Sequence, residues 1–281
     1  LRNLIPMLRS ADPLTQRMGS MALCNLSSNV RNQVFMLENG LFDPLLTETR
    51  AALDPKSRSD HECTRYCLLT LSNLAVNVGN HPLIMKQGLE TLSQFSKHRD
   101  IKCRQHAVFC LGNLCSNIEN LEPIMAAGTL RTVITYAFPS TDVSANVQFQ
   151  AISSMRGLAT HSLLRVQIVR EGAMEPLVLS TKSQSIEVQR EAAAAMCNIA
   201  LAEENKVVMA RGGALPALIT LAMSGDDQRE LHSVAALANI AEMVEGRTQE
   251  RMIEEGVLRP LMRLADSKNN EIRREVARAF A

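Results

Sequence analysis

Arg211-Gly212-Gly213-Ala214-Leu215-Pro216-Ala217-Leu218 leads, across a polar break at Ser224-Gly225-Asp226-Asp227, into Ala235-Ala236-Leu237-Ala238-Asn239-Ile240-Ala241. Gly213 is placed to end one helix in the left-handed conformation that only glycine adopts freely. Pro216 falls in the first turn of the next, where a missing N–H costs little. The polar break stops that short apolar helix, and a longer one carries Asn239. The unit reads as short helix, glycine, helix, turn, long helix. No sustained alternation of period two occurs, so strands are not predicted.

The same unit recurs along the chain. Copies of the asparagine segment are Ala22-Leu23-Cys24-Asn25-Leu26, Leu71-Ser72-Asn73-Leu74-Ala75, Leu111-Gly112-Asn113-Leu114-Cys115 and Met196-Cys197-Asn198-Ile199-Ala200. Met155-Arg156-Gly157-Leu158-Ala159 is a degenerate copy with Gly157 in place of the asparagine. Gly40, Gly88, Gly128, Gly172 and Gly213 each lie 15 residues after their reference position, and Gly256 lies 17 after Asn239. Each is predicted to cap the C-terminus of a short helix. Pro44, Pro176, Pro216 and Pro260 follow within four residues. A seventh copy starts at Glu271-Ile272-Arg273-Arg274-Glu275 and stops one residue before its asparagine.

In glycine, proline and asparagine phase, the unit resembles an armadillo repeat, and the resemblance covers essentially all 281 residues. It implies an all-α, right-handed superhelical solenoid of about seven stacked three-helix repeats, whose third helices line a concave groove. The repeat boundaries fall near 1–29, 30–77, 78–117, 118–161, 162–202, 203–244 and 245–281, within one domain. One repeat cannot bury its own apolar face, so stacking supplies the core. The chain opens at Leu1 in mid-pattern and stops at Ala281 inside an apolar helix, so both ends read as truncated. Uneven spacing places longer connections around Asp54–Asp60 and Pro139–Asn146.

Positions −7 and −4 from each reference asparagine share its helix face, because each residue turns about 100°. The −4 series is Met21, Leu69, Phe109, Ser153, Ala194 and Ala235; the −7 series includes Met18, Tyr66, His106, Gln150, Glu191, His232 and Glu275. An amide both donates and accepts, so an asparagine ladder can pair with the backbone of an extended peptide whatever its side chains. Equally, each asparagine can tie its own helix to the neighbouring repeat. The predicted groove comprises Asn25, Asn73, Asn113, Asn198 and Asn239, with Tyr66, His106, Phe109, Arg156, Glu191 and His232 adding selectivity. Arg156 has two uses, binding an acidic group or pairing with a neighbouring carboxylate.

The resemblance also separates subfamilies. Importin-alpha places Trp four residues before the groove asparagine; this chain has no Trp, and Phe109 is the one aromatic in its −4 series. Beta-catenin offers a basic groove. Here residues 1–140 hold 14 basic and 11 acidic side chains, and residues 141–281 hold 16 and 18, so neither half is a strong funnel. Local texture is similar to all-armadillo adaptor scaffolds of the vacuolar type. The lipidated N-terminal extension of such scaffolds has no match here, so membrane attachment is not carried over.

Composition narrows the chemistry. A net charge of +1 implies no general attraction to nucleic acid. No apolar run approaches the roughly 18 residues of a membrane span. Seven cysteines without a secretory signal suit a reducing cytoplasm, with membrane or cytoskeletal attachment left to flanking segments. His61, Cys63 and Cys67 lie close together but lack a second clustered pair, so they read better as helix residues than as a zinc site. Cys110, Cys115 and His106 lack an orienting acid. Gly212-Gly213 lacks the lysine of a phosphate loop. Arg273, Arg274 and Arg278 interleave with Glu271 and Glu275, which reads as ion pairing on an exposed helix. The sequence thus predicts a non-enzymatic protein-binding scaffold with no metal or cofactor. Its rivals are a structural element docking through its convex face in a cytoskeletal or axonemal assembly, and a nuclear-transport adaptor.

Overall fold

The computed structural model describes residues 1–54, 56, 60–140, 143–243 and 247–281. Among them every regular element is helical. The residues pack as two compact units, Leu1–Thr132 and Val133–Ala281. The first holds α1 (Pro13–Ser27), α2 (Val30–Glu38), α3 (Phe42–Ala51), α4 (His61–Leu74), α5 (His81–Phe95), α6 (Ile101–Leu114) and α7 (Leu121–Ala126). Helix α8 (Leu130–Ala137) carries the boundary. The second unit holds α9 (Ala145–Leu158), α10 (Arg165–Arg170), α11 (Met174–Ser180), α12 (Ile186–Ile199), α13 (Glu203–Arg211), α14 (Ala214–Leu221), α15 (Asp227–Ala241), α16 (Thr248–Glu254), α17 (Leu258–Leu264) and α18 (Asn270–Phe280). Of the two predicted longer connections, residues 55 and 57–59 of the first and 141–142 of the second lie outside the described set. So does the predicted repeat boundary at 244/245.

The long third helices are the spine of each unit. In the first, α4 packs against both α1 and α6; in the second, α12 packs against α9 and α15, and α15 against α18. Their starts share one sequence position. Asp12, Asp60, Asp100, Ser144, Ser185 and Asp226 each stand 13 residues before their reference position, Asn269 opens α18 in the same phase, and all seven accept a backbone N–H of the first turn. Such a cap satisfies one of the four N–H groups a helix start leaves open. The buried faces are Leu, Ile, Val, Ala and Cys, with Leu71, Leu111, Ile152, Ala195 and Leu237 at most 1% exposed.

Glycine closes the short helices as predicted at Gly40, Gly128, Gly172, Gly213 and Gly256, all at positive φ. Gly88 is the exception. It lies inside α5, which runs unbroken from His81 to Phe95. No proline follows it, and Leu89-Glu90-Thr91-Leu92 continues the helix. A Cβ on Gly88 would stand 3.5 Å from the Phe42 ring, an ordinary contact. Ahead of α1, a single 3-10 turn, Pro6–Arg9, packs so close that a Cβ on Gly19 would fall 2.5 Å from the Met7 Cβ.

Candidate functional site

Each third helix offers one stripe, the reference residue and the positions 4, 7 and 11 before it. These three lie within about 40° of the reference residue around the helix. The stripe stays partly open along each unit. In the first unit Met21, Tyr66, Leu69, Asn73, His106, Phe109 and Asn113 are half-buried, and Met18 and Asn25 are exposed. In the second, Gln150, Ser153, Glu191, Asn198 and His232 are half-buried and Arg156 is exposed.

The asparagines divide their two polar atoms. Asn113 Nδ2 donates to the Ser72 carbonyl at 2.9 Å. Asn198 Nδ2 donates to the Arg156 carbonyl at 3.2 Å, and Asn239 Nδ2 to the Cys197 carbonyl at 3.0 Å. In every case the acceptor is the residue just before the preceding repeat's reference position. Asn73 Nδ2 reaches the Ser27 hydroxyl at 2.9 Å, with the Cys24 carbonyl at 3.5 Å. The donor half of the ladder therefore ties repeat to repeat. No hydrogen bond from a described residue reaches the amide oxygens of Asn73, Asn113 or Asn198. Asn239 departs from the predicted groove role. It is 2% exposed, and its oxygen accepts from Arg278 Nη1 at 2.7 Å, so neither polar atom is open to a ligand.

Charged stripe residues are similarly committed. Arg156 Nε lies 2.9 Å from Glu191 Oε2 on the next repeat, the pairing alternative of the two the sequence left open. Arg278 pairs with Glu275 and Glu242, as interleaving predicts, but Arg273 bonds the Ser267 carbonyl and Asn270 rather than a glutamate. Burial holds His106 down to about 4, with Lys102 and Arg65 adding to the effect, and its Nδ1 is buried without a partner. Burial, then Arg156, lowers His232.

Cysteine chemistry is suppressed. All seven thiols are free, and six are buried. Burial drives Cys110 strongly upward and Cys115 up to about 12, so neither offers a thiolate near neutrality. Cys67 is raised by the adjoining Cys63 thiol and by burial. Among the described residues, no three His, Cys, Asp or Glu side chains gather as a metal site would require.

Three side-chain ladders escape the sequence reading. Arg17, Arg65 and Arg190, each eight residues before its reference position, bond the capping aspartate of the next third helix, Asp60, Asp100 and Asp226. Burial works to raise the Asp100 carboxyl, but Arg65 and the Cys103 amide outweigh it and hold it far below the usual range; Arg190 leads the same effect at Asp226. Seven residues after the reference, Asn32, Asn80, Asn120 and Asn205 donate to the carbonyls of Leu26, Leu74, Leu114 and Ile199, closing the third helix's C-terminus. One residue further, Gln33, His81 and Arg165 donate to the carbonyls of Ser27, Ala75 and Ala159. The Asn-x-x-Asn spacing at 29/32, 77/80 and 117/120 was the available signal.

Comparison with known proteins agrees with this architecture. Residues 161–201 match the Armadillo/beta-catenin-like repeat family. Vacuolar protein 8 of Schizosaccharomyces pombe (strain 972 / ATCC 24843) is 28% identical over 192 residues, 66% of this chain. The chain spans only 33% of that relative's length. Among solved structures, an engineered protein aligns over 99% of this chain and 66% of its own, at TM-score 0.84 and 24% identity. A designed armadillo repeat protein in complex with the peptide (KR)4 aligns over 84% of this chain and 98% of its own, at TM-score 0.72 and 24% identity. No helix among the described residues is long and apolar enough to cross a membrane.

Proposed function

The chain is an armadillo-repeat protein in fold, and from that premise we infer that it is a non-enzymatic scaffold holding an extended or helical partner segment along its third helices. One observation carries the reading. The asparagine amides spend their N–H groups between repeats, and among the described residues no hydrogen-bond donor reaches the oxygens of Asn73, Asn113 and Asn198 on a half-open stripe. An acceptor repeated at one register suits the N–H groups of a partner backbone and is indifferent to partner sequence. Tyr66, His106 and Phe109 in the first unit, and Arg156, Glu191 and His232 in the second, are the side chains placed to discriminate among partners. The match to Vacuolar protein 8 and the peptide held by the designed relative point the same way. Seven free thiols favour a reducing, cytoplasmic setting.

A second reading has an observation of its own. Val30, Val78 and Ile118 are 51–58% exposed at the same position, five residues after each reference asparagine. Docking through this edge would make the chain a structural element of a larger assembly. Photo-crosslinking residues installed at Met21 and Ser153 on the stripe, and at Val78 and Ile118 on the edge, separate the two with a partner first identified by pull-down. Dominant transfer from the stripe positions is the expected result. Transfer from the edge positions alone would retire the groove reading.

A further inference from the structure

One buried ring in the first unit is a joint between three successive repeats. His81, the first residue of α5, is fully buried. Its Nε2 lies 2.8 Å from the Ala75 carbonyl just past the end of α4, and its Nδ1 lies 3.0 Å from Asn120 Nδ2. The same Asn120 Nδ2 donates to the Leu114 carbonyl at 2.9 Å, closing α6 as its counterparts close other third helices. These partners fix the proton. A carbonyl only accepts, so Nε2 carries the hydrogen; an amide nitrogen only donates, so Nδ1 offers its lone pair. The ring is the neutral Nε2–H tautomer.

The seam therefore closes in one protonation state. A proton on Nδ1 would set N–H against N–H at Asn120 and place a positive charge at a fully buried site. Turning the Asn120 amide over to accept would leave the Leu114 carbonyl without its side-chain donor. The surroundings offer that charge no counterion. Helix α4 carries no titratable side chain after Cys67, and past Cys110 the end of α6 brings the Cys115 thiol, which burial pushes up to about 12. On α3, Asp43 and Arg50 are exposed and Glu48 accepts from Gln16. Arg31 and Glu38 on α2, Lys86 and Glu90 on α5, and Glu119 and Glu122 beside Asn120 are all exposed. Among the described residues no carboxylate pairs with the ring.

Neighbouring copies are built differently. Gln33 and Leu121 stand at the position of His81 and carry no titrating group. In the second unit Asn205 gives the matching N–H to the Arg165 backbone carbonyl at 3.0 Å, a bond indifferent to pH.

We propose that His81 is a proton-operated joint: at neutral pH it holds together the ends of α4 and α6 and the start of α5, and its protonation opens that seam locally while the second unit stays closed. The open seam binds a proton that the closed one excludes. Closure is thus favoured at high pH and lost as pH falls below the ordinary imidazole value of about 6.5.

The test is hydrogen exchange on the full chain between pH 7.5 and pH 5, each rate divided by the intrinsic rate at that pH, with the ring nitrogens followed by NMR. At pH 7.5 the ring is expected to show a protonated Nε2 and a bare Nδ1. Exchange across residues 75–84 and 115–124 should accelerate by up to about tenfold per pH unit below about 6.5, the limit for one bound proton, while residues 200–209 hold steady. His81→Gln supplies the control. A Gln amide can donate to the Ala75 carbonyl and accept from Asn120 without titrating, as Gln33 Nε2 already donates to the Ser27 carbonyl at 3.1 Å. That variant should lose the acid step. A step that persists in His81→Gln overturns the proposal, and so does a ring that takes up its second proton with the seam still protected. The NMR reading decides alone should the variant fail to fold.

Discussion

At the residue scale, the reference asparagine is a joint with a spare acceptor. Asn113→Ala removes a 2.9 Å bond and leaves the Ser72 carbonyl without its side-chain donor. A loss of about 1 kcal/mol is expected, read as a lower urea midpoint with unchanged helical circular dichroism. Asn239→Ala should cost more, about 2 kcal/mol, because a nearly fully buried amide there satisfies both the Cys197 carbonyl and the Arg278 guanidinium. Equal losses at the two positions would contradict the division of labour. His106 adds a pH term. Its folded value of about 4 lies below the ordinary 6.5, so the unfolded chain binds the extra proton between those values. Stability should therefore decline as pH falls from about 6.5 to about 4, and His106→Gln should flatten that part of the profile. The aspartate caps act lower. Their stabilising charge is present above their unfolded value near 4 and disappears only as pH falls through their depressed folded values, so the two windows separate in a denaturation series.

At the element scale, two glycines in the same phase make opposite predictions. Gly213 sits at φ 82°, where a Cβ is strained, so Gly213→Ala should destabilise by about 1 kcal/mol. Gly88 is interior to α5 with room for a methyl, so Gly88→Ala should be neutral or stabilise by up to about 1 kcal/mol. Thermal melts of the two variants check the pair. The contrast also marks how far the sequence could be read. Glycine and proline report local backbone geometry, and five of six glycine phases were legible from them. At Gly88 the strong helix formers Leu89 and Glu90 follow directly and carry the helix on, whereas Gly128, which also lacks a following proline, is followed by Thr129, a weaker helix former, and closes its helix at positive φ. The caps at Asp60, Asp100 and Asp226 are local and were open to reading from polar residues ahead of each apolar run. Their Arg partners lie 35 to 43 residues away, and only packed helices reveal that an arginine and a cap meet. The same holds for the stripe. Its members follow from the helical period, whereas the use of each amide atom depends on where the neighbouring repeat puts its carbonyl.

At the scale of the whole molecule, stability is a sum of repeat terms and neighbour interfaces, since each third helix packs mainly against the ones beside it. Damage should then stay near its origin. Leu111 in α6 and Leu237 in α15 are both fully or almost fully buried, each in its own unit. Truncation of either to Ala should cost about 2–5 kcal/mol through lost apolar burial and the cavity left behind. The cost is not expected to spread evenly. In Leu111→Ala, hydrogen exchange should accelerate in α4, α5 and α6, the helices that pack on one another around the cavity, while α12 and α15 keep their protection. Leu237→Ala should give the reverse pattern, with α12, α14, α15 and α18 opening first. A chain folding as one cooperative block would instead lose protection everywhere by the same factor in both variants, and that result would rule out a nearest-neighbour account. The graded outcome has a functional corollary. If each unit keeps its own stability, the stripe on α1, α4 and α6 can be weakened by Leu111→Ala without disturbing the one on α9, α12, α15 and α18. A partner segment bound to the first unit should then restore protection in α4 and α6 by mass action and leave α12 and α15 unchanged.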